Sequence, residues 1–141
     1  MVNLLTGPKG SGKTQQMIDL ANQKAKASDG STVFIKNSHN DTYSVSFSIR
    51  AICMDDFKSV KNIQEYTSFI LGMISSNHDI ENIFIDGILK QSEISLENMP
   101  CFVERLKGIS KEHHVDFYVS ISASEADLKD IDMTDVQILN K

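Results

Sequence analysis

Cysteine, arginine and long apolar runs are all scarce in this 141-residue chain, and each scarcity excludes something. Its two cysteines, Cys53 and Cys101, are too few for a disulfide scaffold and too far apart for a metal knuckle. They read as reduced cytosolic thiols of the kind that packs in a core. No stretch approaches the ~20 apolar residues of a membrane-spanning helix, so no membrane partner is expected. Residues Met1 to Thr6 run straight into a glycine loop with no room for a signal peptide, which predicts a cytoplasmic protein. Arg50 and Arg105 are the only arginines, too few for an arginine-rich lid and with neither obviously placed as a finger. A basic excess is missing too: the net charge of -5 and a pI near 5.3 argue against nucleic acid as a dedicated partner. With no repeat, linker or low-complexity tract, the length is that of one domain over residues 1–141.

What charge there is lies unevenly. Residues 1–36 carry five lysines against two aspartates, a local +3, while the remainder carries −8. A basic segment in an acidic chain points to one local anion site more than to a broad polyanion track. A solvated helix face carrying Lys24 and Lys26 accounts for part of the excess.

Apolar runs alternate with helical patterns along the whole length. Val2–Leu5 reads as a short buried strand, followed by a loop over 6–12 and a helix over 13–27 with Met17, Ala21 and Ala25 at i, i+4 spacing. Gly30 is expected to end it in a left-handed conformation. Residues 32–36 form a second strand. The strict alternation over 43–50, with Tyr43, Val45, Phe47 and Ile49 against three serines and Arg50, predicts a half-buried strand or hairpin arm. A second helix covers about 60–75, with Ile63, Thr67, Ile70, Leu71 and Ile74 as its stripe. Asn82–Asp86 is an apolar strand ending on a carboxylate. A third helix runs over 99–112 with Pro100 in its first turn, and strands follow at 115–122 and 136–139. Strands separated by helices require crossovers, hence an α/β fold with a three-layer, mainly parallel sheet flanked by helices.

The chemistry concentrates at Gly7-Pro8-Lys9-Gly10-Ser11-Gly12-Lys13-Thr14, which fits G-x-x-x-x-G-K-[ST], the phosphate-binding P-loop. Glycines let successive backbone N–H groups converge on phosphate oxygens. Lys13 is a point charge for the β and γ phosphates, and the Thr14 hydroxyl is a Mg²⁺ ligand. The helix beginning here aims its positive end at the anion. An apolar strand before and an amphipathic helix after supply the context the motif needs.

Ile83-Phe84-Ile85-Asp86 is the Walker B pattern, which makes Asp86 the second Mg²⁺ ligand. The strand Phe117–Ser122 should emerge at the same edge, where Ser122 is the candidate sensor of the γ-phosphate. Gly87 and Ile88 follow Asp86, where many ATPases place a glutamate that polarises water. Glu93, Asp55 and Asp56 are alternative water-positioning carboxylates, with nothing in the sequence to select one. No Asn-Lys-x-Asp motif for reading guanine is present. His39, His78, His113 and His114 show no ligand spacing and read as surface or helix-end residues.

Through Gly7–Thr14 and Ile83–Asp86 the chain resembles the P-loop NTPases. The opening Val2–Thr14 together with His78–Ile88 looks like a family of small uncharacterised ATP-binding proteins from Firmicutes, over nearly the full length. Some members carry a label linking them to twitching-motility, pilus-retraction ATPases, which are larger and bring acidic, histidine and arginine elements this chain cannot house. A strand between the P-loop strand and the Walker B strand is similar to the RecA-like, additional-strand arrangement. P-loop thymidine kinases begin in the same manner, but the cysteines of their zinc lasso are absent. The resemblance implies ATP and Mg²⁺ as cofactors and weak hydrolysis that depends on a protein partner or on homo-oligomer formation. The alternative is a nucleotide-dependent switch that does not hydrolyse, for which the absent glutamate speaks. A small-molecule kinase is the third reading, against which the missing lid counts.

Overall fold

The computed structural model describes residues 1–39 and 45–140. Its elements are β1 (Val2–Thr6), α1 (Lys13–Ala27), β2 (Ser31–Lys36), β3 (Ile49–Cys53), α2 (Ile63–Ser76), β4 (Ile80–Ile85), α3 (Met99–His113), β5 (Asp116–Ile121) and β6 (Val136–Ile138). All six strands pair in parallel in the order β3-β2-β4-β5-β1-β6. β5 thus stands between β1, which feeds the glycine loop, and β4, which leads into Asp86. This is the additional-strand arrangement on an α/β, parallel, helix-flanked sheet.

Period-2 alternation sends each strand's side chains to two cores. Leu4, Val33, Ile35, Ile83, Ile85, Phe117 and Val119 pack with α2 and α3. Leu5, Phe34, Phe84 and Tyr118 pack with Met17, Ile18 and Ala21 of α1. On the α1 side three rings stack across neighbouring strands, Phe34 on Phe84 at 6.1 Å and Phe84 on Tyr118 at 4.3 Å between centroids. Such ring pairs add about 0.5–1.5 kcal/mol beyond their buried area. Among the described residues no helix is long and apolar enough to cross a membrane.

Local chemistry sets the helix ends. α2 starts at a reciprocal cap: Glu65 N–H donates to Asn62 Oδ1 at 2.9 Å, and Asn62 N–H donates to Glu65 Oε1 at 3.1 Å. The same backbone donors, from Lys61 and Asn62, hold the Glu65 carboxyl below its ordinary range. α3 has Pro100 in its first turn and stops at His114, whose φ of 57° is left-handed. At the other edge of the sheet, Leu139 N–H donates to Leu4 O at 2.9 Å. The Asn140 side-chain amide accepts from Thr6 N–H at 3.1 Å and donates to Thr6 O.

Several expectations are corrected. The strand expected over 43–50 is instead β3 at Ile49–Cys53; Tyr43 and Ser44 lie outside the described residues. Val45–Ser48 form a turn in which Ile49 N–H donates to Ser46 O at 3.0 Å, and Phe47 is fully exposed. Serine alternation suits a turn as well as a strand, because the hydroxyls satisfy backbone groups locally, as Ser46 Oγ does for Ser48 N–H. Gly30 is not left-handed; it is glycine for space, since a Cβ there would lie 2.3 Å from Asp79 O. On α2, Leu71 is exposed, and Tyr66 and Met73 fill the stripe in its place. Cys53 is buried, but Cys101 is exposed on α3.

Candidate functional site

β1 ends at Thr6, and after six intervening residues α1 begins at Lys13. The loop between them starts anchored: Gly7 N–H donates to Ala123 O at 3.0 Å, just beyond β5. Gly12 caps α1 with φ 85°, a left-handed turn that aims the chain directly into the helix without a side-chain cap. At Gly7 the crowding is direct, because a Cβ would sit 2.9 Å from Ser11 Oγ. Pro8, Lys9, Gly10, Ser11 and Gly12 are exposed around the rim.

Lys13 is only 8% exposed, and its ammonium donates to the loop's own carbonyls, Gly7 O at 3.0 Å and Pro8 O at 2.8 Å. Burial pushes its pKa down; Asp86 opposes that shift and Lys90 adds to it. Thr14, one residue on, donates from Oγ1 to Asp86 Oδ2 at 3.0 Å. Asp86 N–H donates to Ile35 O at 2.9 Å, extending the β4–β2 ladder one rung and fixing the carboxylate at the carboxyl edge of the sheet. Its other oxygen, Oδ1, accepts from Ser120 Oγ at 2.5 Å.

A cleft of about 690 Å³ opens over this edge. Lys9, Gly10, Gly12, Lys13 and Thr14 form one wall. Opposite them stand Asp86 to Lys90, with Ser120 at the floor and Ser122 exposed at the rim. The volume suits a small-molecule ligand. Lys13, Thr14 and Asp86 are therefore brought together, with Ser122 on the same cleft.

The other candidates lie elsewhere. Asp56 Oδ1 is 2.7 Å from His39 Nε2, and Asp55 accepts from His39 N–H at 3.4 Å, on a surface outside the cleft. Glu93 is exposed and does not line the cleft. Arg50 on the edge strand β3 and Arg105 on α3 are both exposed away from it. Two residues that sequence reasoning passed over do line it, Ser120 and Lys90. Alternation along Tyr118-Val-Ser120-Ile-Ser122 places both serines on one strand face. Choosing between them needs the β4–β5 register, in which Ile85 pairs with Val119 and Asp86 therefore comes level with Ser120.

The donor set suits magnesium. Thr14 and Asp86 offer a hydroxyl and a carboxylate in contact, both hard oxygen ligands. Among the described residues no group of three His, Cys, Asp or Glu could hold a metal alone.

Glycine loop, inserted strand and carboxylate-ended β4 together define a member of the P-loop NTPase superfamily. Residues 3–83, more than half of the chain, match the family model described as RNA helicase, and the chain belongs to that family. No curated protein matches the sequence. Among solved structures, a KaiC-like protein from the hyperthermophilic archaeon Pyrococcus horikoshii is similar, with TM-score 0.62 and 16% identity over 88% of this chain. This chain spans 62% of that protein's length. At that identity the likeness is one of fold.

Proposed function

We propose that the protein binds ATP with Mg²⁺ on residues Gly7 to Thr14 and hydrolyses it slowly until a protein partner or a second copy completes the site. The observation that carries this reading is the contact of Thr14 with Asp86 beside the buried Lys13, in one cleft beneath the glycine loop. On nucleotide binding the Lys13 ammonium would leave the Gly7 and Pro8 carbonyls for phosphate oxygens, and the loop N–H groups with the start of α1 would hold the same anion. Thr14 and Asp86 would hold Mg²⁺, which when bound would neutralise phosphate charge. Ser122, on the rim of the same cleft, would sense the terminal phosphate.

Slow turnover follows from what the cleft does not hold. Among the described residues no glutamate and no arginine line it, and an arginine finger alone is worth about 10³–10⁵ in rate. Arg50 and Arg105, both exposed, are available to a neighbouring copy. The size and both motifs also fit the small Firmicutes ATP-binding proteins. Family membership favours one extension, in which RNA is the stimulating partner; the -5 net charge weighs against it.

The test combines melting curves with phosphate release. Mg-ATP at one hundred times Kd should stabilise the fold by ~2.7 kcal/mol and raise Tm by roughly 10 °C. Lys13→Ala should abolish most of that shift. Turnover should be ~10⁻⁴–10⁻² s⁻¹, as in switch proteins without their activator. An unchanged melting curve would remove the reading, and turnover above one per second at every protein concentration would remove the partner requirement. Adding single-stranded RNA to the same assay decides the extension.

A further inference from the structure

We propose that Lys90 is a built-in cation for the terminal phosphate of a bound nucleoside triphosphate, making the cleft selective for tri- over diphosphate. The proposal rests on the reading of the cleft as a nucleotide site and assigns a residue that no motif names.

Lys90 is placed by its backbone, not by a flexible loop. Gly87, with φ 78°, starts a one-turn 3-10 helix over Ile88–Lys90. Ile88 is 2% exposed and pins the turn into the core beneath β4. Lys90 N–H donates to Gly87 O at 3.0 Å, and Gln91 Nε2 donates to Val60 O at 2.8 Å, fixing the exit of the turn. Ahead of Lys90, its own stem folds back: a Cβ on Gly87 would lie 3.5 Å from Lys90 Cδ. The side chain therefore lies across the residue that follows Asp86, in the space a glutamate at 87 would use.

Its ammonium is uncommitted. Among the described residues Lys90 makes no side-chain hydrogen bond or ion pair, although it is near enough to Lys13 to disfavour that charge. Among the described residues, Lys9, Lys13 and Lys90 line the cleft against one carboxylate, that of Asp86, a local excess of positive charge. Such an excess is relieved by a polyvalent anion, and more fully by three phosphates than by two. Lys90 lines the same cleft as Lys13, four residues beyond Asp86; on the reading of Lys13 as the cation of the outer phosphates, it would meet the end of the phosphate chain and not its beginning. A cation in that space stabilises phosphate charge but cannot accept a proton from water, which fits strong triphosphate binding with slow turnover.

Calorimetric titration of Mg-ATP and Mg-ADP into wild type, Lys90→Ala, Lys90→Arg and Lys13→Ala tests this. Wild type should prefer ATP. Lys90→Ala should weaken ATP about tenfold, the worth of a charged hydrogen bond, with ADP changed less than about twofold. Lys90→Arg should keep the preference. Equal losses for both nucleotides in Lys90→Ala, or no loss, would overturn the assignment while leaving the nucleotide site standing. Failure of wild type to bind either nucleotide, or indifference to Lys13→Ala, would instead bring down the site and this inference with it.

Discussion

Ser120 donates to the Asp86 carboxylate across 2.5 Å, from the strand inserted between the one that feeds the glycine loop and the one that ends at Asp86. With Thr14 on the other oxygen at 3.0 Å, the carboxylate is held from both sides. A carboxylate so held has its rotamer fixed by its neighbours, as the proposed role of Asp86 as a Mg²⁺ ligand would require. The inserted strand thus supplies an orienting group as well as sheet area.

Removing that hydroxyl should loosen Asp86 without removing it. Ser120→Ala is expected to cost about 1–2 kcal/mol of stability, since a hydrogen bond to a charged group in a buried setting is lost. It should also weaken the magnesium-dependent part of ATP binding, by less than Asp86→Asn does. Metal-free binding should stay nearly constant in both variants. Urea melts and ATP titrations at low and high Mg²⁺ check this; identical magnesium dependence in Ser120→Ala and wild type would assign Ser120 to packing alone.

Gly87 should not accept a side chain. A non-glycine residue at φ 78° costs about 1–2 kcal/mol, and the new Cβ would lie 3.3 Å from Asn37 Cβ. Gly87→Ala is therefore expected to lower stability by that amount. Gly87→Glu should lower it as much and add no phosphate release, because its carboxylate would contend with the Lys90 stem. Faster turnover in Gly87→Glu would show that the site lacks only a base.

Alkaline pH should unfold the protein through its tyrosines. Burial pushes the Tyr66 phenol upward, with the Asp86 charge adding to it, and burial raises Tyr118 to about 12, with Asp116 adding. The folded protein then keeps protons that the unfolded chain releases near its ordinary value of 10.0. This contribution is complete below pH 10 and is lost as pH rises toward 12, so stability falls across that window. Urea midpoints at pH 9, 10.5 and 11.5 should drop in wild type and drop less steeply in Tyr118→Phe.

The sheet and the loop were legible because each rests on local pattern. Apolar strands, helical stripes and the run Gly7–Thr14 sit within short windows, and Asp86 ends an apolar strand in plain view. The partners of Asp86 were less so. Ser120 and Ser122 share a face, and only the pairing of Ile85 with Val119 decides which one comes level with the carboxylate. Lys90 depends on the turn after Gly87, whose direction is set by Ile88 entering the core, a tertiary event with no periodic signature. The strand expected over 43–50 holds only at Ile49 and Arg50 among the described residues, because alternation does not tell whether serine hydroxyls bond within a turn, as at Val45–Ser48, or face solvent from a sheet.

The clamp on Thr6 sets where the glycine loop can move. Thr6 pairs with Ile121 of β5 on one side, and the Asn140 amide bonds both of its backbone groups on the other. It is a fixed pivot immediately before the first glycine. Any rearrangement of the loop around an anion is then a rotation about Gly7, confined to the residues up to Gly12, with β1 unable to slide or twist in response. Asn140, two residues beyond the shortest strand of the sheet, thus braces the strand from which the glycine loop departs.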